Sequence, residues 1–272
     1  ETAVSLLDDR IRAEERAGEQ EYIKLSKEFS VEFSERLNAF ARQNQLTINT
    51  LVQGAWALLL AQMSNENDIV FGATVSGRPP ALPGVENMVG LFINTLPVRA
   101  HVDDQKSPVD YLKELQARAV EMREYEYTPL VDIHGWSRVP RDLPLFSSIV
   151  VFENYPVDST MKNQQSSLNF GDFQTIERVN YPLSLVAGFS DHLALDIAYE
   201  SKRYRRETIT RFFSMLERIL FGFTDRNSKC LADIRLAGPA EEQKMLVDWN
   251  KTQQAYDKSI CIHQVFEAWV EK

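Results

Sequence analysis

Residues 89–99, VGLFINTLPVR, with Val75, Ser76, Gly77 and Arg78 (VSGR) standing shortly before them, decide how the rest of the chain is read. The apolar residues Val89, Leu91, Phe92, Ile93, Leu96 and Val98 suit a strand covered on both faces better than a one-sided one. Asn94 and Thr95 nevertheless sit in the middle of the run. A carboxamide buried without hydrogen bonds costs roughly 1–3 kcal/mol, so Asn94 either ties backbone together or faces a wet channel. For Asn94 taken alone the tie is the commoner arrangement, because buried polar groups normally find partners in their own fold.

Upstream of this stretch, Tyr22, Ile23 and Leu25 predict a short strand. Ser30 is placed to cap a helix whose apolar positions Phe33, Leu37, Phe40 and Ala41 follow helical spacing and which ends near Asn44. Thr47 caps a second helix, apolar on so much of its circumference between Leu51 and Leu60 that it must be heavily buried. Residues 68–75 (DIVFGATV) form a β-rich run. Between this run and the opening stretch, Gly77, Pro79, Pro80, Pro83 and Gly84 mark an irregular loop of about a dozen residues, long for a plain connection.

Downstream, Ser107 caps a helix reaching to about residue 125 with Val109, Leu112, Leu115 and Ala119 on one face. His134, Gly135 and Trp136 predict a turn, residues 146–152 a strong strand and residues 158–167 a polar loop. Residues 168–176, 182–189 and 193–199 predict three strands, the last two joined as a hairpin through Ser190, Asp191 and His192. Residues 208–223 have the apolar spacing of an amphipathic helix. Hairpin strands set among paired helices give an α/β fold, a sandwich built on a mixed sheet. Residues 1–20 are charged and read as a linker or surface helix, and residues 21–237 as the main body. Gly238, Pro239 and the following Glu and Gln residues break the pattern and open a linker over 238–259, before a new helix within 260–272.

With 44% hydrophobic residues over 272 positions the chain has material for a sizeable core. A formal charge of −9 opposes a nucleic-acid surface, which needs clustered Lys and Arg; Lys202, Arg203, Arg205 and Arg206 read as a solvated turn. Cys230 and Cys261 are far apart in sequence, so a reducing, cytoplasmic setting is expected rather than a disulfide framework. No long apolar span points to a membrane. Glu1 opens without a Met and Lys272 stops inside a periodic pattern, so a piece of a larger protein is expected.

The sequence holds no GxGxxG, Walker A, GxSxG, HExxH or paired CxxC. His101, His134, His192 and His263 are isolated from one another, and none has a second His or a Cys three or four residues away, so no metal site is expected. Asp132 with His134, and Asp191 with His192, resemble acid and base pairs only on paper: the adjacent Asp191 and His192 would point to opposite faces of a strand, and spacing alone gives no reason to join either pair. Spacing alone therefore yields no catalytic constellation.

VSGRPPALPGVENMVGLFINTLPVR resembles the segment of nonribosomal peptide synthetase condensation domains in which a GR turn leads to a GxFxNTxxxR strand. The likeness extends upstream to residues 46–60 (LTINTLVQGAWALLL) and Asp68, Ile69 and Val70. Downstream it takes in residues 125–129, 138–146 (RVPRDLPLF) and 152–156 (FENYP). Beyond the break, residues 247–251 (VDWNK), Thr252, Tyr256 and residues 262–267 (IHQVFE) resemble the opening of an adenylation domain.

The resemblance implies one of two chloramphenicol acetyltransferase-like lobes, the C-terminal one, over residues 21–237. The family's HHxxxDG motif belongs to the other lobe and is absent here, so no catalytic residue is assigned and the lone chain is expected to be inactive. The intact domain would join a donor acyl or peptidyl thioester to an acceptor aminoacyl thioester. Both would be carried on phosphopantetheine arms of upstream and downstream carrier proteins, with no cofactor bound directly. Expected partners are the N-terminal lobe, those carriers and the adjacent adenylation domain. By resemblance Ser76 and Asn94 line the substrate tunnel, Ser76 as an acceptor-amine contact and Asn94 as a hydrogen-bonding wall. Arg78, Arg99 and Arg141 stand at tunnel or structural positions. Gly77, Pro79, Pro80, Pro83 and Gly84 belong to a crossover that latches onto the opposite lobe, whose proline content favours a preset shape. Two alternatives stay open: a carrier-protein docking platform without its own catalysis, and a lobe of a heterocyclization or epimerization domain.

Overall fold

A computed structural model describes residues 22–79, 82–153, 180–253 and 260–270. The segment 1–20, Pro80, the expected polar loop at 158–167 and the expected strand at 168–176 lie outside the described residues.

Six strands, β1 (Tyr22–Glu28), β2 (Asp68–Val75), β3 (Asn94–His101), β4 (Ser148–Glu153), β5 (Leu183–Phe189) and β6 (Leu193–Glu200), form one sheet in the order β1-β6-β5-β4-β2-β3. The inner trio β5, β4 and β2 runs parallel. β6 folds back on β5 as the expected hairpin and carries β1 antiparallel, while β3 pairs antiparallel with β2 at the other edge. Along β6, Leu193, Leu195, Ile197 and Tyr199 are buried and alternate with half-buried positions, the period of a sheet whose core lies on one face. Helices α1 (Val31–Gln43), α2 (Ile48–Ser64), α3 (Pro108–Met122), α4 (Leu130–Trp136) and α5 (Arg206–Thr224) complete this unit. With α2 packed on α1, α3, α5 and the sheet, the result is a mixed-sheet α/β sandwich.

Local chemistry places the helix starts. Ser30 Oγ accepts from Phe33 N at 3.2 Å, Thr47 Oγ1 from Thr50 N at 3.1 Å and Ser107 Oγ from Asp110 N at 3.1 Å, each satisfying an orphan first-turn donor. α2 is buried from Thr50 to Ala61, and its Trp56 indole donates to Ser148 Oγ on β4 at 3.3 Å. Gly54 lets α2 meet α3: a Cβ there would lie 2.4 Å from Leu112 Cδ2, and the Tyr111 hydroxyl donates to Gly54 O at 3.1 Å. Burial of that phenol pushes its pKa above the ordinary tyrosine value. No single described helix is long and apolar enough to cross a membrane.

Two expectations need correction, and the expected linker over 238–259 contains helical turns. The run 89–98 is not one buried strand. β3 begins only at Asn94, and Val89, Leu91 and Ile93 stand 102%, 93% and 59% exposed. The ladder with β2 ends at the Val75–Asn94 pair, and Gly77 at φ +63° then turns the partner strand away, so residues 88–93 have no ladder to join. His134, Gly135 and Trp136 belong to α4 rather than a turn; Pro129 O accepts from Asp132 N and Ile133 N and starts the helix. The stretch after Gly238 is helical over Pro239–Gln243 (α6) and continues as a π turn over Lys244–Asp248. Its start follows from Pro at the first turn and from Glu241 Oε2 accepting from Gly238 N at 3.0 Å.

The chain divides into two compact units, Glu1–Arg235 and Leu236–Lys272. The second contains α6 and a helix Ile262–Val270 (α7), which begins close to the expected position and whose apolar residues are exposed.

Gly54→Val places a branched side chain against Leu112 and Tyr111, and overpacking of this kind costs about 1–3 kcal/mol. The expected outcome is a lower urea midpoint at unchanged slope; an unchanged midpoint would contradict the close α2–α3 approach.

Candidate functional site

The sheet sets up the site where the β2–β3 ladder ends. Residues 76–93 leave β2 and return to β3, and their two ends touch at Gly77, where a Cβ would sit 1.8 Å from Phe92 O. Only glycine tolerates both that approach and φ +63°. Arg78 then folds the excursion back on itself. Its guanidinium donates to Val85 O and, at 3.0 Å, to Met88 O, and lies 4.3 Å from the centroid of the Phe92 ring. Pro79 O accepts from Leu82 N at 3.0 Å, and Gly84 at φ +78° opens a single 3-10 turn over Val85–Asn87 with Val85 buried. Pro83 is exposed.

Of the two arrangements open to Asn94, the geometry is the backbone tie. Its Nδ2 donates to Glu126 O at 2.9 Å and Thr128 O at 2.8 Å, while its Oδ1 accepts from Thr95 N at 2.8 Å. Both amide hydrogens are thereby spent on backbone. The segment they hold returns a bond to the other strand, because Glu126 Oε2 accepts from Gly77 N at 3.2 Å. Asn94, the 126–128 backbone, the Glu126 carboxylate and Gly77 thus form a circuit that closes across the end of the ladder. Glu126 is the residue that sequence reasoning missed. It lies within the 125–129 segment that carried part of the resemblance, but its partner is a backbone amide remote in sequence, and no spacing rule reveals that.

The circuit borders a cleft of about 580 Å³ at the carboxyl ends of β2, β4 and β5, the side on which open α/β sheets place ligands. Its walls include Asn49 and Gln53 of α2, Met122 of α3, Ser76, Glu126, Phe152 and Phe189. Gln53 Nε2 donates to Asn49 Oδ1 at 3.0 Å. Ser76 is exposed and its Oγ accepts from Arg78 N at 3.4 Å.

Among the described residues nominated from the sequence, only Ser76 lines this cleft; Asn94 acts behind Glu126 and Arg78 braces the excursion. Arg99 marks the opposite end of the ladder. It clasps Asp68 through Nε–Oδ1 at 2.8 Å and NH2–Oδ2 at 2.6 Å, and the hydrogen bond from Arg99 holds the Asp68 carboxyl below its ordinary value. Arg141 is exposed beside Gly135 of α4.

His192 and Asp191 do meet, Nδ1 to Oδ1 at 2.8 Å, because they occupy a hairpin turn where the alternation of strand side chains does not apply. Ser190 and His192 hydrogen bonds lower the Asp191 carboxyl, yet the pair is absent from the cleft lining. Cys230 and Cys261 are free thiols. Among the described residues no group of three or more His, Cys, Asp or Glu side chains is arranged to hold a metal ion. The cleft therefore offers hydroxyls, carboxamides, the Arg123 guanidinium and the Glu126 carboxylate against apolar walls. Such a set orients a ligand by hydrogen bonds and supplies no nucleophile–base pair.

A family model described as a condensation domain matches residues 1–246. A linear gramicidin synthase polypeptide of Brevibacillus parabrevis is 48% identical over 254 residues, 93% of this chain and 3% of that protein. Chondramide synthase cmdD of Chondromyces crocatus is 39% identical over 87% of this chain and 6% of its own length. The chain thus spans a small part of the curated relatives it matches. Among solved structures, a four-domain nonribosomal peptide synthetase, holo-AB3403 bound to AMP and glycine, superposes with a TM-score of 0.70 at 17% identity, covering 82% of this chain and 18% of that one. The X-domain from teicoplanin biosynthesis superposes with a TM-score of 0.68 at 18% identity, covering 86% and 54%. At these identities the likeness is one of fold.

Substitutions at two positions test the placements. Asn94→Ala leaves two part-buried carbonyls short of a donor, worth about 1–3 kcal/mol, and Asn94→Asp, which turns carboxylate oxygens towards them, destabilises at least as much. A thermal melt in which both variants match the parent would contradict the tie. Arg99→Ala removes an exposed pair worth less than about 1 kcal/mol. Because the folded-state carboxyl is lowered, its contribution is present above the unfolded value of 3.8 and fades as pH falls through the lower folded value. The stability gap between parent and variant should therefore close in acid; a gap constant from neutral pH down to acid would contradict the pairing.

Proposed function

The chain belongs to the condensation-domain family, and we propose that residues 21–237 are the C-terminal lobe of a nonribosomal peptide synthetase condensation domain, followed by a linker and, from residue 260, the start of an adenylation domain. In this reading the lobe supplies one wall of a tunnel in which an acceptor aminoacyl thioester meets a donor acyl or peptidyl thioester. The acceptor amine attacks the donor carbonyl, the new C–N bond forms as the C–S bond breaks, the amine proton leaves, and the donor carrier's thiol departs. The partners are the N-terminal lobe, the upstream and downstream carrier proteins with their phosphopantetheine arms, and the adenylation domain.

The observation that carries this reading is the cleft at the strand ends, bordered by an excursion that leaves Val89, Leu91 and Ile93 exposed. Apolar side chains at this exposure mark a surface made to be covered, and a second lobe standing over the same edge would both cover them and roof the cleft. The residue set suits the chemistry. Aminolysis of a thioester gains about 7–11 kcal/mol from holding two tethered reactants in register, and hydroxyls and carboxamides on rigid elements do that without owning a catalyst. The crossover role of Gly77, Pro79, Pro83 and Gly84 fits a brace in which Arg78 presets the returning segment 85–92. Ser76 is the contact towards the acceptor, and Asn94 supports the wall from behind.

The experiment adds separately expressed N-terminal lobe and two loaded carrier proteins to this chain and looks for dipeptidyl thioester by mass spectrometry, with each lobe alone as control. The expected outcome is product only when both lobes are present, and less of it with Asn94→Ala. With lobe association and carrier loading verified, absence of product would overturn the reading and favour a docking platform or a different subtype.

A further inference from the structure

The Glu126 carboxylate has more capacity than the circuit uses. Oε2 takes the Gly77 N–H at 3.2 Å, and Asn94 fixes the Glu126 backbone through the carbonyl at 2.9 Å, so the group is anchored at both its main chain and its tip. Among the described residues nothing donates to Oε1, and no Lys, Arg or His side chain forms an ion pair with this carboxylate, although Arg123 lines the same cleft. The carboxylate lines that cleft together with Ser76 and the apolar Phe152 and Phe189. An ionised carboxylate only accepts hydrogen bonds, so whatever fills this place must donate them. Charge-assisted bonds to cationic N–H donors are stronger than neutral ones, more so beside apolar walls that exclude water. A group that can only accept hydrogen bonds gains nothing at Oε1.

We propose that Glu126 is the anchor for the free primary ammonium of the acceptor, with Oε1 receiving one of its N–H groups beside the Ser76 hydroxyl. The inference rests on the condensation reading for what the amine is doing there, and it adds a selection: acceptors whose amine is blocked or missing lose the contact. The role is one of binding and orientation. The ammonium gives up one proton to solvent before it can attack, because only the neutral amine has a lone pair; neither that proton nor the one shed during attack is assigned to Glu126.

The test uses the intact condensation domain with a loaded donor carrier and an amide-linked glycyl pantetheine as soluble acceptor, and measures KM and kcat for that acceptor. In parallel, its des-amino counterpart, acetyl pantetheine amide, serves as a competitive inhibitor. Glu126→Gln keeps an oxygen for Gly77 N–H but loses the charge; Glu126→Ala loses both. The expected result is an acceptor KM raised about tenfold or more in Glu126→Gln with kcat little changed, at an unaltered melting temperature. The parent should bind the glycyl compound about tenfold or more tightly than the acetyl one, and Glu126→Gln should lose that preference. Glu126→Ala should also lower the melting temperature. A Glu126→Gln domain that keeps the parental KM and preference would overturn the anchor, as would a parent that does not distinguish the two compounds. Failure of the parent domain to form any product from a loaded donor and the glycyl acceptor would instead overturn the condensation reading itself.

Discussion

The Asn94 carboxamide is the constraint on which the functional end of this fold depends. Among the described residues β3 is an edge strand, paired only with β2, and no ladder holds the segment after α3 beside it. Two hydrogen bonds from one side chain, at 2.9 and 2.8 Å, attach that segment to the first residue of β3. Such bonds are worth only about 1 kcal/mol each when made, and more than that in penalty when a buried partner is left without them. The tie therefore works chiefly by excluding arrangements in which those carbonyls have no donor. It also sets the reach of the Glu126 side chain to Gly77, which closes the circuit from the opposite strand.

The same junction explains why an apolar stretch lies on the surface. Gly77 at φ +63° takes β2 away from its partner, and contact with Phe92 O leaves no room for a side chain there. The returning chain is braced by Arg78 rather than by a ladder, so its apolar residues at 89, 91 and 93 lie exposed and outside any strand. Rigidity with exposure is costly unless something covers it. The two-lobe tunnel proposed above would supply that cover, and it would also account for a cleft whose polar groups hold a ligand without attacking it.

Much of the scaffold was legible because its signals are local. Ser30, Thr47 and Ser107 announce helix starts through their own side chains, and the alternation over residues 193–199 declares a one-sided strand whatever its neighbours do. The start of β3 was not legible, since apolarity records that a surface is covered and is silent on whether the cover is the chain's own core. Gly135 hid α4 because a glycine near a short helix reads as a break, while the real start signal was Pro129. At the site, Asn94 was legible as a carboxamide in need of partners, but the identity of those partners was not. Glu126 was not legible at all, because a backbone N–H carries no sequence signature. The pairing of Asp191 with His192 was missed for a related reason: turn geometry overrides the alternation that strands impose.

The most direct measurement is amide hydrogen exchange at Gly77, followed by NMR in the parent and in Asn94→Ala. Gly77 N–H is bonded to a side chain that is itself positioned by Asn94, so it should be protected in the parent and exchange markedly faster in the variant, while amides in the centre of the sheet keep their protection. A Gly77 amide that exchanges at the rate of an unfolded chain in the parent, or one whose protection survives loss of the Asn94 carboxamide, would contradict the circuit from which the cleft and its function have been derived.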